Sequence, residues 1–287
     1  MTMNEKKKNE STRTTQQLKK LAQEIRVNIV DCIGSIGVGH IGGCLSIADV
    51  LAVLYGKHMR INPSDPQLDG RDRLVCSKGH AGPAIYSALA AKGYFDKAEL
   101  KTLNKGGTKL PSHCDMNKTI GVDMTTGSLG QGLSCAVGMA IGSKIRNDGS
   151  YIYAIVGDGE SQEGQIWEAA MLAAHKKLDN LIVFTDYNHM QIDGTIEEIN
   201  DIAPLDKKWS AFGFRVFSID GHDVDAIDAT ISRAKKSTAK PIMIILNTIK
   251  GKGISFVEGA KVGCHSMPLS AEQCELAKKE ILAQAII

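Results

Sequence analysis

Apolar residues along this chain follow two rhythms. From Thr15 they recur every three or four positions, at Leu18, Leu21, Ala22, Ile25, Ile29 and Ile33, which predicts an amphipathic helix. The same period predicts helices over 46–55, 83–92, 163–177, 205–212, 224–236 and, more weakly, 270–285. Between them stand short runs that are apolar almost throughout, at 74–77, 151–156, 181–184, 214–219 and 241–248, as in strands buried on both faces. Strand and helix alternate, so the chain reads as an α/β fold: a doubly wound, mainly parallel sheet flanked by helices on both faces. Residues 1–14 are polar and read as a disordered tail, and 101–122 and 251–267 read as irregular. No repeat or linker interrupts residues 15–287, which are expected to form a single domain.

The strand ends carry the polar chemistry. The run from Tyr151 stops at Gly157-Asp158-Gly159, and the following strand leads to Asp186 and Asn188. A strand–helix–strand unit places Asp158 and Asn188 at one sheet edge, where open α/β sheets bind ligands. An acid and an amide offer hard oxygens, which suit Mg²⁺ or Ca²⁺ and predict a metal-anchored anionic cofactor. Gly37, Gly39 and Gly42 formally spell G-x-G-x-x-G, but a helix precedes them instead of a strand. A dinucleotide fingerprint is therefore rejected, and a glycine-rich turn exposing His40 remains. The small residues of Gly127-Ser128-Leu129-Gly130 open a helix that runs to about residue 145, and they let a ligand approach the backbone closely. Of eight histidines, His40, His80, His113 and His265 lie in Gly- or Pro-flanked loops, where function concentrates. His58 and His175 read as structural or exposed, His222 as a helix-start device, and His189 stays open between the two.

Composition narrows the classes. A net charge of +2, with no basic stripe interleaved with aromatics, excludes a dedicated nucleic-acid binder. Seven cysteines, never spaced C-x-x-C, fit reduced thiols better than a disulfide framework or a zinc site. No signal-type apolar stretch opens the chain, and no apolar run approaches the roughly 18 residues of a membrane span. A cytoplasmic protein is expected.

Taken together these segments resemble a known family. Gly157-Asp158-Gly159 with Asn188 resembles the thiamin-diphosphate motif, and residues 16 to 272 are similar, in order, to the N-terminal third to half of transketolases. The similarity is carried by Gly39-His40, by Asp72-Arg73-Leu74-Val75-Cys76-Ser77-Lys78-Gly79-His80 and by Thr125-Thr126-Gly127-Ser128-Leu129-Gly130-Gln131-Gly132. Gln191-Ile192-Asp193-Gly194, Asp220-Gly221-His222-Asp223 and His265-Ser266-Met267-Pro268-Leu269 continue it. 1-Deoxyxylulose-5-phosphate synthase and the dihydroxyacetone synthases share parts of the pattern, but the last two segments favour transketolase.

The resemblance implies thiamin diphosphate held through Mg²⁺ or Ca²⁺, with Asp158 and Asn188 as side-chain ligands and Met190 as a backbone-carbonyl ligand. It implies diphosphate contacts from His80 and Gly159 and an aminopyrimidine seat at Gly127, Ser128 and Leu129. His40, His113 and His265 would surround the reacting carbon and the donor's first hydroxyls, donating hydrogen bonds and carrying protons; His265 would also touch the cofactor. The implied reaction moves a two-carbon ketol unit from a ketose to an aldose, with the cofactor as electron sink. In the family, the glutamate that activates the pyrimidine belongs to a second domain reached across a dimer interface. Glu163 and Glu168 match that interface's acids, but the chain stops before the domain would begin. The resemblance thus implies the N-terminal subunit of a split transketolase, completed by a separate C-terminal subunit in a two-plus-two heterotetramer. Val38, Ile41, Ser128 and His189 depart from the family pattern and point to a specialised donor, phosphorylated, sulfonated or branched. The alternatives are another thiamin-diphosphate carboligase, of the deoxyxylulose-phosphate or pyruvate-decarboxylating kind, and an inactive cofactor-binding scaffold.

Overall fold

Every apolar run picked out above pairs into one sheet. The computed structural model describes residues 3–286, with side chains for 14–286. In chain order come α1 (Met3–Gly34), β1 (Val38–Gly39), α2 (Ile41–Leu45), α3 (Ala48–Val53), β2 (Arg73–Cys76), α4 (Gly82–Lys92) and α5 (Gln131–Arg146). They are followed by β3 (Ile152–Gly157), α6 (Gly164–His175), β4 (Leu181–Tyr187), α7 (Ile196–Asn200), α8 (Leu205–Ala211) and β5 (Arg215–Asp220). The chain then forms α9 (Val224–Ala234), β6 (Ile242–Asn247), α10 (Ser255–Gly259), β7 (Met267–Pro268) and α11 (Ala271–Ala283).

The main sheet has the order β2-β3-β4-β6-β5, with every pairing parallel. Both faces of β2, β3, β4 and β6 are covered, which is why they read as continuous apolar runs, whereas the edge strand β5 is only partly buried. Tyr153, Ile155, Ile182, Phe184, Ile244 and Leu246 belong to the core shared with α1–α4, α9 and α11. Their neighbours Ile152, Ala154, Val156, Val183, Met243 and Ile245 belong to the core under α5, α6 and α8. The stripe of α1 is fully buried at Ile25, Ile29 and Ile33, and each such side chain stabilises by about 1.5–3 kcal/mol. After β4 the chain passes to the edge strand β5 and returns with β6 beside β4. That switch opens a crevice beyond the carboxyl ends of the central strands.

Several boundaries differ from expectation. The helix begins at Met3, so residues 3–14 are helical where a disordered tail was expected. Lys, Glu and Arg tolerate a helix, and extending one already nucleated by the buried stripe costs little. The helix expected over 46–55 starts earlier, directly after His40, and breaks at Ser46 and Ile47. There the Ser46 hydroxyl meets the Asp186 carboxylate at 2.7 Å. The short α7 was not anticipated, although its capping box, Thr195 with Glu198, is written in the sequence. Strand β4 continues through Asp186 to Tyr187, past the apolar run that announced it. The stretch 251–267 holds α10 and β7, and β7 pairs antiparallel with β1 as Val38↔Pro268 and Gly39↔Met267. This two-residue ribbon ties the loop of His40 to the loop of His265. Among the described residues no helix is long and apolar enough to cross a membrane.

Candidate functional site

Four strand ends and three loops converge on one crevice. The segments after β2, β3, β4 and β6 bring Lys78 and His80, Asp158 and Gly159, Asn188 and Met190, and Lys250 to a cavity of about 350 Å³. His40, at the start of α2, and the loops bearing His113, Gly127, Leu129 and His265 close its other side. All the residues expected at a site are therefore brought together except Ser128, which sits between Gly127 and Leu129 but outside the lining. Two glycines permit this convergence. A side-chain carbon on Gly79 would come within 2.7 Å of the Thr126–Gly127 backbone, and one on Gly42 within 2.4 Å of the Cys264 sulfur.

The four loop histidines form a single cluster. The His40 ring lies 5.4 Å from that of His80, 5.9 Å from His113 and 5.3 Å from His265, and His80 is 5.1 Å from His265. Burial, reinforced by nearby Lys250, His40 and Lys78, holds His265 down at about 3. Burial likewise lowers His80 and His40, with Lys78 and His113 respectively adding to the effect. In the cofactor-free chain these three rings are neutral at pH 7, so each offers one donor and one acceptor nitrogen. Lys250 Nζ donates to His265 Nδ1 at 3.2 Å, which leaves the His265 proton on Nε2.

Beneath the histidines lies a charged network that the sequence did not announce. Asp186, fully buried, accepts from Lys78 Nζ at 2.5 Å, Thr248 Oγ1 at 2.5 Å, Ser46 Oγ at 2.7 Å and Asn188 Nδ2 at 3.0 Å. Burial opposes both charges of the Lys78–Asp186 pair, but their attraction wins, lowering Asp186 and raising Lys78. Leaving one partner of such a pair alone costs about 3–5 kcal/mol. Glu160, also buried, accepts from Gly130 N at 2.8 Å and Gly157 N at 2.9 Å and from the Ser77 hydroxyl, fixing the turn after β3 against the start of α5. Lys78, Glu160, Gln191 and Lys250 line the cavity without having been anticipated. A signal did exist, because Lys78 and Lys250 follow strand ends at the same edge as Asp158 and sit beside glycine.

The donor set suits a metal together with an anion. Asp158 accepts from Gly159 N at 2.8 Å and His189 N at 2.6 Å, and Asn188 Oδ1 accepts from Met190 N at 3.1 Å. Burial, then the charge of Asp186, push the Asp158 carboxyl up to about 7, so a cation beside it would favour the ionised form. Lys250 is 4% exposed and forms no ion pair among the described residues. Its Nζ donates instead to the carbonyls of Met190 and Gln191, at 3.3 and 3.4 Å, and burial lowers its pKa. No three His, Cys, Asp or Glu side chains cluster as a metal site among the described residues. The available oxygens are a carboxylate, an amide and a carbonyl, a hard set that a metal shared with a diphosphate would complete. An uncompensated carboxylate beside an uncompensated lysine fits a metal–diphosphate pair.

The other expected roles resolve as follows. His189 adopts a left-handed backbone, φ 62°; its N–H serves Asp158, while its ring turns away to Glu197 at 2.9 Å and Tyr187 at 4.0 Å between centroids. His58 binds Asp228 at 2.7 Å and belongs to the scaffold. The helix-start device is Asp223, which accepts from Asp225 N and Ala226 N; His222 instead points to Asp49 and Ile249. Glu163 and Glu168 are both exposed in the single chain.

A doubly wound parallel sheet with these groups at neighbouring strand ends defines a protein that grips an anionic, metal-bridged cofactor. The family description "transketolase, thiamine diphosphate binding domain" matches residues 17–284. The chain belongs to the transketolase family, whose ketol-transferring enzymes use thiamin diphosphate with Mg²⁺ or Ca²⁺. It is 57% identical over 260 residues to a 6-deoxy-6-sulfo-D-fructose transketolase subunit of Clostridium sp. (strain MSTE9), covering 91% of this chain and 94% of that protein. It is 39% identical over 260 residues to a subunit of the apulose-4-phosphate transketolase of Phocaeicola vulgatus, covering 91% and 92%. Among solved structures, the transketolase from Leishmania mexicana superimposes with a TM-score of 0.86 at 31% identity, covering 94% of this chain and 42% of that one. The chain therefore spans less than half of such a single-chain transketolase and nearly all of the proteins named as subunits.

Proposed function

We propose that this chain is the cofactor-binding subunit of a two-chain transketolase that takes a two-carbon ketol unit from a sulfonated ketose of the 6-deoxy-6-sulfo-fructose kind. The observation that carries the reading is the 57% identity, over nearly the whole of both chains, to a subunit named for that donor. Thiamin diphosphate supplies the electron sink through which a ketol fragment passes between two carbonyl groups. Asp158, Asn188 and the Met190 carbonyl hold the metal. His80, Gly159 and Lys250 hold the diphosphate, and Gly127, Ser128 and Leu129 seat the aminopyrimidine. His40, His113 and His265, clustered around the donor's end of the cavity, hydrogen-bond the donor's first hydroxyls and move protons on and off its oxygens.

Both lysines in the cavity are committed, Lys78 to Asp186 and Lys250 to the diphosphate. The sulfonate is therefore read by the partner subunit, which also supplies the carboxylate that activates the pyrimidine. The assembly is two copies of each chain, covering Glu163 and Glu168, and the free thiols favour the cytoplasm as its location. Assembled with its C-terminal subunit, the enzyme is expected to use 6-deoxy-6-sulfo-fructose with a kcat/KM about 10²-fold above that for a pentulose phosphate, a gap of about 2.7 kcal/mol. Equal or reversed preference in a coupled aldehyde-release assay would overturn the donor assignment.

A further inference from the structure

We propose that His222 is a positioning residue that sets Lys250 against the cofactor's diphosphate. The inference rests on the reading of Lys250 given above and extends it to a side chain well outside the cavity. Lys250 lies in the turn after β6, and the backbone on either side of it is held by one buried cluster. Arg26 of α1 meets Asp49 of α3 through two hydrogen bonds, at 2.9 and 2.5 Å. Asp49 also accepts from His222 Nδ1 at 2.8 Å, and His222 Nε2 accepts the backbone N–H of Ile249 at 2.9 Å. Arg26 Nε reaches the carbonyl of Lys252 at 3.2 Å. The cluster therefore grips the turn on both sides of Lys250, at Ile249 through His222 and at Lys252 through Arg26.

The ring's protonation follows from its partners. A backbone N–H can only donate, so Nε2 must accept and Nδ1 carries the proton given to Asp49. The imidazole thereby joins a fixed carboxylate to a fixed amide. Burial would raise the Asp49 carboxyl, but the Arg26 charge and the His222 hydrogen bond hold it at about 2. Asp49 is thus an ionised, rigid anchor.

On the cavity side, Gly251 N donates to the Gly42 carbonyl at 3.0 Å, beside the loop of His40. Lys250 Nζ then spans the carbonyls of Met190 and Gln191 and the His265 ring. Those partners are neutral, so the hold on the backbone at Ile249 and Lys252 adds to the Nζ contacts in fixing where the ammonium lies. Outer partners of this kind set ligand geometry and commonly change affinity by about 10–100-fold when lost. The alternative is that Arg26, Asp49 and His222 merely join helices. That role would alter stability but would not depend on Lys250.

The test uses the full chain, alone for exchange and assembled with its C-terminal subunit for kinetics. His222→Phe keeps a ring and removes both hydrogen bonds. His222→Gln keeps a donor and an acceptor on one planar group. In His222→Phe, amide hydrogen exchange across 249–253 should speed up about tenfold or more. The apparent Kd for thiamin diphosphate at saturating Mg²⁺ should rise about tenfold, with kcat at saturating cofactor within about twofold of wild type. In a Lys250→Met background the same substitution should add less than about twofold to Kd, and His222→Gln should restore exchange and affinity. Should His222→Phe fail to fold, His222→Ala is read the same way, because the adjoining cavity of about 190 Å³, lined by Asp49 and His222, lets water reach the Asp49 carboxylate. Unchanged exchange at 249–253, or a full Kd penalty that persists in Lys250→Met, would overturn the inference. If Lys250→Met itself leaves Kd unchanged, the assignment of Lys250 falls and this inference with it, while faster exchange in His222→Phe would still locate the failure at Lys250 and not at His222.

Discussion

Replacing Asp158 with alanine is expected to weaken metal-dependent binding of thiamin diphosphate by about 10²-fold or more. The carboxylate is the one full negative charge among the three proposed metal ligands. It stands in a pocket where burial and Asp186 already make its ionisation costly. A divalent cation relieves that cost, so metal and carboxylate stabilise each other, and alanine removes both the charge and one hard oxygen. The cofactor-free chain should lose little stability, because the released N–H groups of Gly159 and His189 are offset by removal of a desolvated charge. Calorimetric titration with thiamin diphosphate, with and without Mg²⁺, measures the effect. An affinity within twofold of wild type would remove the metal from this site.

The second large effect is expected at His40, whose ring is the hub of the imidazole cluster. In the assembled enzyme, His40→Ala should lower kcat/KM by about 10²–10⁴-fold, the range of a lost proton-transfer group. Cofactor affinity should stay within about threefold, because in the proposed arrangement His40 serves the donor and neither the metal nor the diphosphate. Coupled steady-state kinetics at saturating cofactor separate the two quantities. A loss confined to cofactor binding would move His40 from the chemistry to the cofactor seat.

Much of this site was legible because its parts obey local rules. Asp158 and Asn188 follow apolar runs too short and too uniform to be anything but buried strands, and a parallel sheet leaves such ends side by side. The four histidines stood out because each lies within two residues of a glycine or proline, and all four meet in the cavity. The Lys78–Asp186 pair was not legible, because Lys78 lies just past the end of β2 and Asp186 inside β4, 108 residues apart. Asp186 was also hidden inside β4, where a charge is not expected until its partners are seen.

Other misses have separate physical causes. The β1–β7 ribbon is two residues long on each side, too short for any hydrophobic period. The break after α2 comes where the Ser46 hydroxyl meets a distant carboxylate at 2.7 Å as well as the Gly43 carbonyl of its own helix at 3.2 Å. The extension of α1 to Met3 reflects continuation of a helix over residues whose composition alone reads as disorder. In the sequence His222 looks like a helix-start device because it precedes a helix, yet its neighbour Asp223 does that work and frees the imidazole to reach across to α3.

In the proposed enzyme this chain is one half of an active site, holding the metal and the cofactor while a partner completes the chemistry. The most direct measurement is ketol transfer from 6-deoxy-6-sulfo-fructose to an aldose acceptor, with thiamin diphosphate and Mg²⁺, by the purified chain alone and after addition of its C-terminal partner. Activity is expected only in the mixture, rising to a maximum at equal numbers of the two chains, with the chain alone at least about 10³-fold slower. Full turnover by the chain alone would contradict it.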